Sequence, residues 1–286
     1  MEKSRRIKKF FQSKPTLEGA GVHLKRAFGF NELPLFDPFL LLDDFRSDNP
    51  AHYLKGFPWH PHRGIETITY VLEGKVEHGD SMGNTGGIIS GDVQWMTAGS
   101  GIVHQEMPKG DSKGRMEGFQ LWANLPAAQK MMPPRYQNIQ SHQIPTVKLD
   151  NGVEIKIIIG QIDNIRGPVT DIVIEPEYLD ITLPKHTPFT HATIPGHKVF
   201  AYVIAGRASF CPEEHPVPYP TETLLLFEDG DHVSVKTGEE PARFLLCSGK
   251  PINEPVAWRG PIVMNTQAEL ELAFEEYHQG TFIKNG

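Results

Sequence analysis

Short runs of apolar and β-branched residues recur along the chain, separated by segments that contain glycine and proline. Residues 153–159 form one such run, and its length is typical of a β-strand. The 27 glycines and 24 prolines fit many short strands joined by tight turns. Clear helical periodicity occurs at residues 266–279, where apolar side chains stand among glutamates and Thr266 precedes Glu269 as in a capping box. The pattern predicts an all-β protein with a short C-terminal α-helix.

The two halves of the chain repeat the same order of motifs. Residues 70–76 (YVLEGKV) are echoed by residues 202–208 (YVIAGRA). The Gly-Asp-Val of residues 91–93 is echoed by the Gly-Asp-His-Val of residues 230–233. The loop lengths differ but the order does not, which indicates a diverged duplication of one β-rich unit.

Two doublets of metal-ligand side chains lie in the first half. His60 and His62 are two residues apart, and so are His104 and Glu106. Residues two apart on a β-strand point to the same face. Two strands with these faces turned inward would therefore aim three imidazoles and one carboxylate at one point. That donor set suits a divalent first-row metal with one or two positions left open, so the spacing predicts a metal site.

The strand pattern and an inward-facing metal site together favour two jelly-roll barrels in tandem. We place the first barrel, with the metal site, at residues 1–135. The second barrel, which includes the C-terminal helix, is placed at residues 136–286.

Other side chains are candidates for the same chemistry. Continuing the alternation from His62 puts Glu66 on the metal-facing side, either as a further ligand or as a residue beside the ligands. His186, His191 and His197 lack the two-residue spacing, and we expect them to be surface or structural histidines. Some aromatic and sulfur-bearing side chains either line a pocket for a flat ligand or belong to the barrel core, namely Trp59, Trp95, Met96 and Trp122.

Composition and charge exclude several classes of protein. The chain is 39% hydrophobic and 22% charged, as in ordinary globular proteins, and its net charge of −7 argues against a general nucleic-acid binder. The aliphatic run at residues 39–42 is far too short to cross a membrane.

Residues 1–9 are basic but no apolar segment follows, so we expect a solvated arm and no secretory signal. Two isolated cysteines, Cys211 and Cys247, favour a reducing compartment. We expect a cytoplasmic protein, with the nucleus open if the host is eukaryotic.

Several sequence strings closely resemble the pirin family, and together they cover essentially the whole chain. They are residues 37–41 (DPFLL), 57–64 (FPWHPHRG), 94–99 (QWMTAG), 101–108 (GIVHQEMP) and 260–266 (GPIVMNT).

The resemblance implies a bicupin whose N-terminal barrel binds one metal ion, usually iron, through three histidines and one glutamate. The matching positions here are His60, His62, His104 and Glu106. Many other cupins use the glutamate at the position of Glu66 instead. The C-terminal barrel of pirins has generally lost its site, and the corresponding positions here are Ala192, Ile194, Arg243 and Leu245. Copper, nickel and manganese remain open as alternatives to iron.

The resemblance also implies two competing functions. In the one we favour, the protein opens the ring of a flavonol such as quercetin with molecular oxygen, and Glu106 takes the proton of the flavonol hydroxyl. In the other, it is a metal-dependent, redox-sensing binding protein or transcription cofactor. That role would run through a protein partner, because no DNA-reading element is evident. We expect a monomer that contacts neither nucleic acid nor membrane directly.

Overall fold

The computed structural model describes residues 3–284 as short antiparallel strands with one α-helix. The strands of the first half are β1 (Ile7–Gln12), β2 (Lys14–Glu18), β3 (Val22–Phe28), β4 (Phe39–Asp44), β5 (Phe57–His62), β6 (Ile65–Glu73), β7 (Lys75–Asp80), β8 (Thr85–Ile89), β9 (Val93–Thr97), β10 (Ile102–Lys109), β11 (Glu117–Asn124) and β12 (Arg135–Ile139). The remaining elements are β13 (Thr146–Lys148), β14 (Glu154–Ile159), β15 (Gln161–Ile162), β16 (Ile165–Arg166), β17 (Glu177–Leu183), β18 (Pro188–Ala192), β19 (Lys198–Phe210), β20 (Tyr219–Pro220), β21 (Thr223–Phe227), β22 (His232–Lys236), β23 (Ala242–Gly249), β24 (Ala257–Arg259), β25 (Ile262–Met264) and α1 (Gln267–His278). Short 3₁₀ turns cover Phe30–Glu32, Pro50–His52 and Ser141–Gln143. The all-β prediction with a C-terminal helix is confirmed.

The described residues divide into two compact units. The first unit consists of residues 14–141 together with residues 252–284. The second unit consists of residues 3–13 together with residues 142–251.

This division differs from the predicted boundary between residues 135 and 136, because each end of the chain belongs to the unit built mainly from the other half. Strand β1 pairs with β21 and so joins the sheet of the second unit. Helix α1 packs on β24 and β25 in the first unit. Strand β12 lies across the predicted boundary, pairs with β9 and completes a sheet of the first unit.

Two large sheets build the first unit, and β24 and β25 form a small two-stranded sheet beside them. A seven-stranded sheet has the order β12-β9-β6-β11-β4-β3-β2, and a four-stranded sheet has the order β5-β10-β7-β8. Because antiparallel neighbours in register present their side chains on the same face, Arg26, Asp43, Gln120 and Thr69 form one row across β3, β4, β11 and β6. We call these four residues the polar row.

The second unit is built around one ten-stranded sheet with an apolar interior. Its core contains inward-facing residues of β14, β17, β19, β21 and β23, and both cysteines are free and buried. The basic N-terminus is not simply a solvated arm, because Arg5 is 1% exposed and donates hydrogen bonds to Thr193 Oγ1 and to the carbonyl oxygens of Glu228 and Ile194.

Helix α1 begins as the sequence predicts. Thr266 caps it, and Thr266 and Glu269 form the reciprocal hydrogen bonds of a capping box. Leu270 and Ala273 pack with Phe282 in a small buried cluster of the first unit. Within residues 3–284, no helix combines the length and the apolar character needed to cross a membrane.

Candidate metal centre

Strands β5 and β10 carry the two doublets as neighbours in the four-stranded sheet. His104 on β10 is in register with His60 on β5, and the ladder shifts before Glu106. Because side chains two apart share a face, this pairing brings His60, His62 and His104 together. Their ring centroids lie 4.8 Å apart for His60 and His62, and 4.4 Å apart for His60 and His104.

The imidazoles turn their Nε2 atoms toward one another. The Nε2 of His60 lies 3.1 Å from that of His62 and 3.0 Å from that of His104. The Nδ1 of His60 lies 2.8 Å from the carbonyl oxygen of Pro58, and the Nδ1 of His62 lies 3.0 Å from that of Pro261. A carbonyl oxygen only accepts hydrogen bonds, so both Nδ1 atoms carry the proton and both Nε2 atoms present a lone pair.

Two lone pairs facing each other at this distance repel unless a cation lies between them. For metal–nitrogen bonds of about 2.1 Å, the separation of 3.1 Å corresponds to an angle of roughly 95° at the ion. The ligand atoms of His60, His62 and His104 all lie within 4.8 Å of one another. In the described part of the chain, no other group of three or more His, Cys, Asp or Glu side chains meets that condition. The three histidines can therefore hold a metal ion.

Burial keeps these imidazoles neutral. Loss of solvation lowers the pKa of His60, and it lowers the pKa values of His62 and His104 well below their ordinary value. The neighbouring imidazoles lower the pKa values of the two deeply buried rings further. Neutral imidazole is the form that binds metals, so little proton competition is expected from the cluster at neutral pH.

Glu106 stands beside the three histidines. Its Oε2 lies 4.0 Å from the Nε2 of His104, and its Oε1 lies 3.3 Å from the Oγ1 of Thr69. Two donors that share one ion through bonds of about 2.1 Å lie at most about 4.2 Å apart, so Glu106 could share an ion with His104. Glu106 is not part of the group of mutually close ligand atoms that the three histidines form, so it stands at the edge of the cluster. Burial raises the pKa of Glu106 to about 7, and the hydrogen bond with Thr69 partly opposes this rise.

Glu66 lies on the other face of β6 from Thr69. Its Oε1 accepts a hydrogen bond of 2.7 Å from Thr97, whereas Thr69 lines the same cavity as the histidines. The expectation that strand alternation continues from His62 to Glu66 is wrong, because the chain turns between β5 and β6 at Gly64, which has a φ of +77°. Glu66 therefore does not join the histidine cluster.

The other histidines have structural or surface environments. His191 is buried, and its Nε2 lies 2.9 Å from a carboxylate oxygen of Glu177. His186 is exposed, and its Nε2 lies 3.2 Å from a carboxylate oxygen of Glu239. His197 is buried in the second unit.

A cavity of about 560 Å³ lies within the first unit beside the histidine cluster. Its aromatic lining consists of Phe30, Phe45, Phe57, Trp59, Trp122 and Trp258. The ring of Trp122 stands at 90° to the ring of His62 with 5.1 Å between centroids. Two of the tryptophans proposed from the sequence thus line the cavity, whereas Trp95 and Met96 are buried core residues. The size and the lining are typical of small-molecule sites.

The polar row reaches the same cavity, and the sequence did not reveal it. Arg26 donates from Nε and Nη2 to the two carboxylate oxygens of Asp43, both at 2.8 Å. Its Nη2 also lies 2.9 Å from Oε1 of Glu18. Further along the row, the Oγ1 of Thr69 lies 2.8 Å from Oε1 of Gln120 and 3.3 Å from Oε1 of Glu106, and its single proton can go to either oxygen. These residues are far apart in sequence, and only the register of four strands aligns them.

Known proteins resemble this chain over nearly its whole length. The family model for pirin matches residues 21–123, and the model for the pirin C-terminal cupin domain matches residues 178–283. The chain is 43% identical over 279 residues to "Pirin-like protein" of Caulobacter vibrioides, with 97% of this chain and 99% of the relative covered. It is 40% identical over 284 residues to a Pseudomonas aeruginosa protein named "Putative quercetin 2,3-dioxygenase", with 98% and 99% covered.

A solved structure shows the same architecture. The crystal structure of quercetin 2,3-dioxygenase from Acinetobacter baumannii superimposes with a TM-score of 0.89 at 32% identity, covering 98% of this chain and 99% of that chain. Together with both family models, this similarity shows that the chain belongs to the pirin family and contains two cupin domains.

Proposed function

We propose that His60, His62, His104 and Glu106 hold one divalent metal ion. The facing lone pairs of His60 and His62, fixed by backbone carbonyls, support this. Three nitrogens and one carboxylate suit first-row metals, and the family resemblance makes iron our choice. Copper, nickel and manganese are alternatives. The affinity of such donor sets follows the general order of the divalent first-row metals, so the metal that binds most tightly need not be the metal that supports activity.

We further propose that the metal-loaded protein is a dioxygenase that opens the ring of a quercetin-type flavonol with molecular oxygen. The observation that carries this proposal is an aromatic-lined cavity of about 560 Å³. His60, His62 and Glu106 also line this cavity. A redox-active ion, when bound, supplies open positions for the oxygen atoms of substrate and of molecular oxygen. The Pseudomonas and Acinetobacter relatives carry the name of this activity.

Glu106 has the properties of the base that this reaction needs. In the metal-free protein, burial raises the pKa of Glu106 to about 7, so this carboxyl group can accept a proton near neutral pH when it is not bound to the metal. Thr69 can support both charge states of Glu106. It donates to the carboxylate, and it can accept from the protonated acid because its own proton can go to Gln120 at 2.8 Å. Glu106 therefore takes and holds the proton of the flavonol hydroxyl.

The aromatic side chains orient the substrate and limit access of water. Trp122 stands against His62, and its ring centroid lies 6.0 Å from that of Trp258. Flat ring systems pack well against such indole surfaces. A flavonol held there would place its hydroxyl and carbonyl oxygens toward the histidines.

The test is aerobic turnover of quercetin by the protein reconstituted separately with iron, copper, nickel and manganese. We expect metal-dependent loss of the flavonol absorption band, abolished in His104→Ala and strongly reduced in Glu106→Gln. Full turnover by Glu106→Gln with its metal retained would refute the role of Glu106. Absence of turnover with every bound metal would refute the dioxygenase and favour the metal-dependent binding protein.

A further inference from the structure

Three charged residues form a second polar site on the wall of the cavity. Arg26 is bound by both carboxylate oxygens of Asp43 and by Glu18, at 2.8 to 2.9 Å. All three residues line the cavity that His62 and Glu106 also line. The Asp43 side chain is only 6% exposed, while those of Arg26 and Glu18 are 27% and 41% exposed. We call these three residues the Arg26 cluster.

The charges of the Arg26 cluster determine which ligand group it can accept. Two carboxylates and one guanidinium leave a net negative charge, which repels a carboxylate or phosphate on a ligand. Within residues 3–284, the Nη1 of Arg26 makes no hydrogen bond, so it can donate to a ligand oxygen. The Glu18 carboxylate can accept from a ligand donor. A neutral hydroxyl group, which both donates and accepts, satisfies both partners.

The distance between the Arg26 cluster and the metal candidates fits a ligand of several rings. Arg26 on β3 and Thr69 on β6 belong to the same row and are separated by three strand-to-strand steps. At about 4.8 Å per step, this amounts to roughly 14 Å along the sheet. Thr69 contacts Glu106, so the row connects one polar site to the other. Apolar and aromatic residues, among them Leu41 and Trp122, line the cavity as well.

We propose that the Arg26 cluster binds phenolic hydroxyl groups on a ring remote from the reacting hydroxyl and carbonyl of the flavonol. The cluster thereby selects polyhydroxylated flavonols such as quercetin over flavonols without outer hydroxyl groups. This inference rests on the proposed function, since it assumes that the reacting end lies at the histidines.

The test compares two ligands in a binding assay that does not depend on turnover. Quercetin and 3-hydroxyflavone share the reacting hydroxyl and carbonyl, but 3-hydroxyflavone has no hydroxyl on its outer rings. Zinc has no redox chemistry, so the zinc-loaded protein holds either ligand without oxidising it. Their dissociation constants are measured by calorimetry or by quenching of tryptophan fluorescence.

We expect Glu18→Ala to weaken quercetin binding about tenfold or more, the effect of one hydrogen bond to a charged group. The dissociation constant of 3-hydroxyflavone should differ by no more than about twofold between Glu18→Ala and the unsubstituted protein. This ligand has no outer hydroxyl group for the Arg26 cluster to bind. Arg26→Lys, which keeps the charge but loses the two-pronged geometry, should weaken quercetin binding in the same selective way. Glu77→Ala is the matched control, because Glu77 is 37% exposed, pairs with lysines and is not among the lining residues of the cavity.

The outcomes separate the inference from the proposed function. If Glu18→Ala and Arg26→Lys change the two dissociation constants equally or not at all, the Arg26 cluster is not a hydroxyl site and the inference is overturned. If neither flavonol binds the zinc-loaded unsubstituted protein, the proposed function fails as well. Selective loss of quercetin affinity in both variants, but not in Glu77→Ala, supports the inference.

Discussion

Glu106 should make metal binding depend on pH in a predictable way. Burial raises the pKa of this carboxyl group to about 7, and a metal ion binds only the deprotonated form. Below that pKa a proton competes with the metal, so affinity must fall as the pH falls. At pH 6 roughly one carboxyl in eleven is ionised and at pH 8 roughly ten in eleven, so affinity should rise about tenfold between these values. The histidines add little to this change, because burial lowers their pKa values.

The assay is calorimetric titration of the metal-free protein with zinc at pH 6, 7 and 8. Repeating the titration at pH 7 in buffers of different ionisation enthalpy gives the number of protons released, and we expect about half a proton from Glu106. Glu106→Gln keeps the size of the side chain and removes the titration. This variant should bind zinc more weakly at pH 8, and its affinity should be nearly flat from pH 6 to 8. Glu77→Gln, at an exposed lysine-paired glutamate, should retain the tenfold rise.

A flat pH dependence in the unsubstituted protein would refute the assignment of Glu106 as a titrating ligand. A slope that survives unchanged in Glu106→Gln would refute it as well, and would place the competing proton on another group.

Four further substitutions test the structure around the site and the role of Thr69. Lys130→Met should lower the free energy of unfolding by about 3 kcal/mol in urea titrations, because the buried Nζ donates to three oxygens at 2.7 to 3.0 Å; unchanged stability would contradict this. Gly64→Ala should lower both stability and metal affinity, because its φ is +77° and an added Cβ would overlap a backbone carbonyl oxygen. Gly83→Ala is the control for Gly64→Ala, because Gly83 has a φ of +85° and no atom lies within 4 Å of an added Cβ. It should lower the free energy of unfolding only by the backbone strain, about 1–2 kcal/mol. An equal loss of stability in both variants would contradict a steric overlap at Gly64. Thr69→Val should lower kcat for quercetin with metal content unchanged, because Glu106 loses its proton-sharing partner, and unchanged kcat would exclude that role.

Strand alternation and residue type allowed the sequence to predict the histidine cluster. His60 and His62 lie on one continuous strand and point to the same face. His104 lies in register with His60 on the neighbouring strand and points to that face as well. The same rule failed for Glu66 because Gly64, with its positive φ, lies in the turn between β5 and β6, and the side chains of β6 do not continue the alternation of β5. A local pattern is reliable only as far as the strand that carries it.

Long-range register and chain-end pairing were beyond the reach of the sequence. Arg26 and Asp43 lie 17 positions apart, and nothing in their local sequence marks them as partners across two strands. Arg5 likewise sits in a basic run that is typical of exposed arms, yet its guanidinium is buried against Thr193 nearly two hundred residues away. Both placements depend on which strands pair, which a single sequence does not encode in any short window.

Oxygen-18 incorporation is the most direct measure of flavonol ring opening at this metal. The metal-loaded protein should consume one molecule of labelled oxygen for each quercetin lost, and the label should appear in the ring-opened product. The metal-free protein and the His104→Ala variant should show neither uptake nor labelling above the uncatalysed rate. Product without label, or equal labelling by the His104→Ala variant, would contradict a dioxygenase at this site.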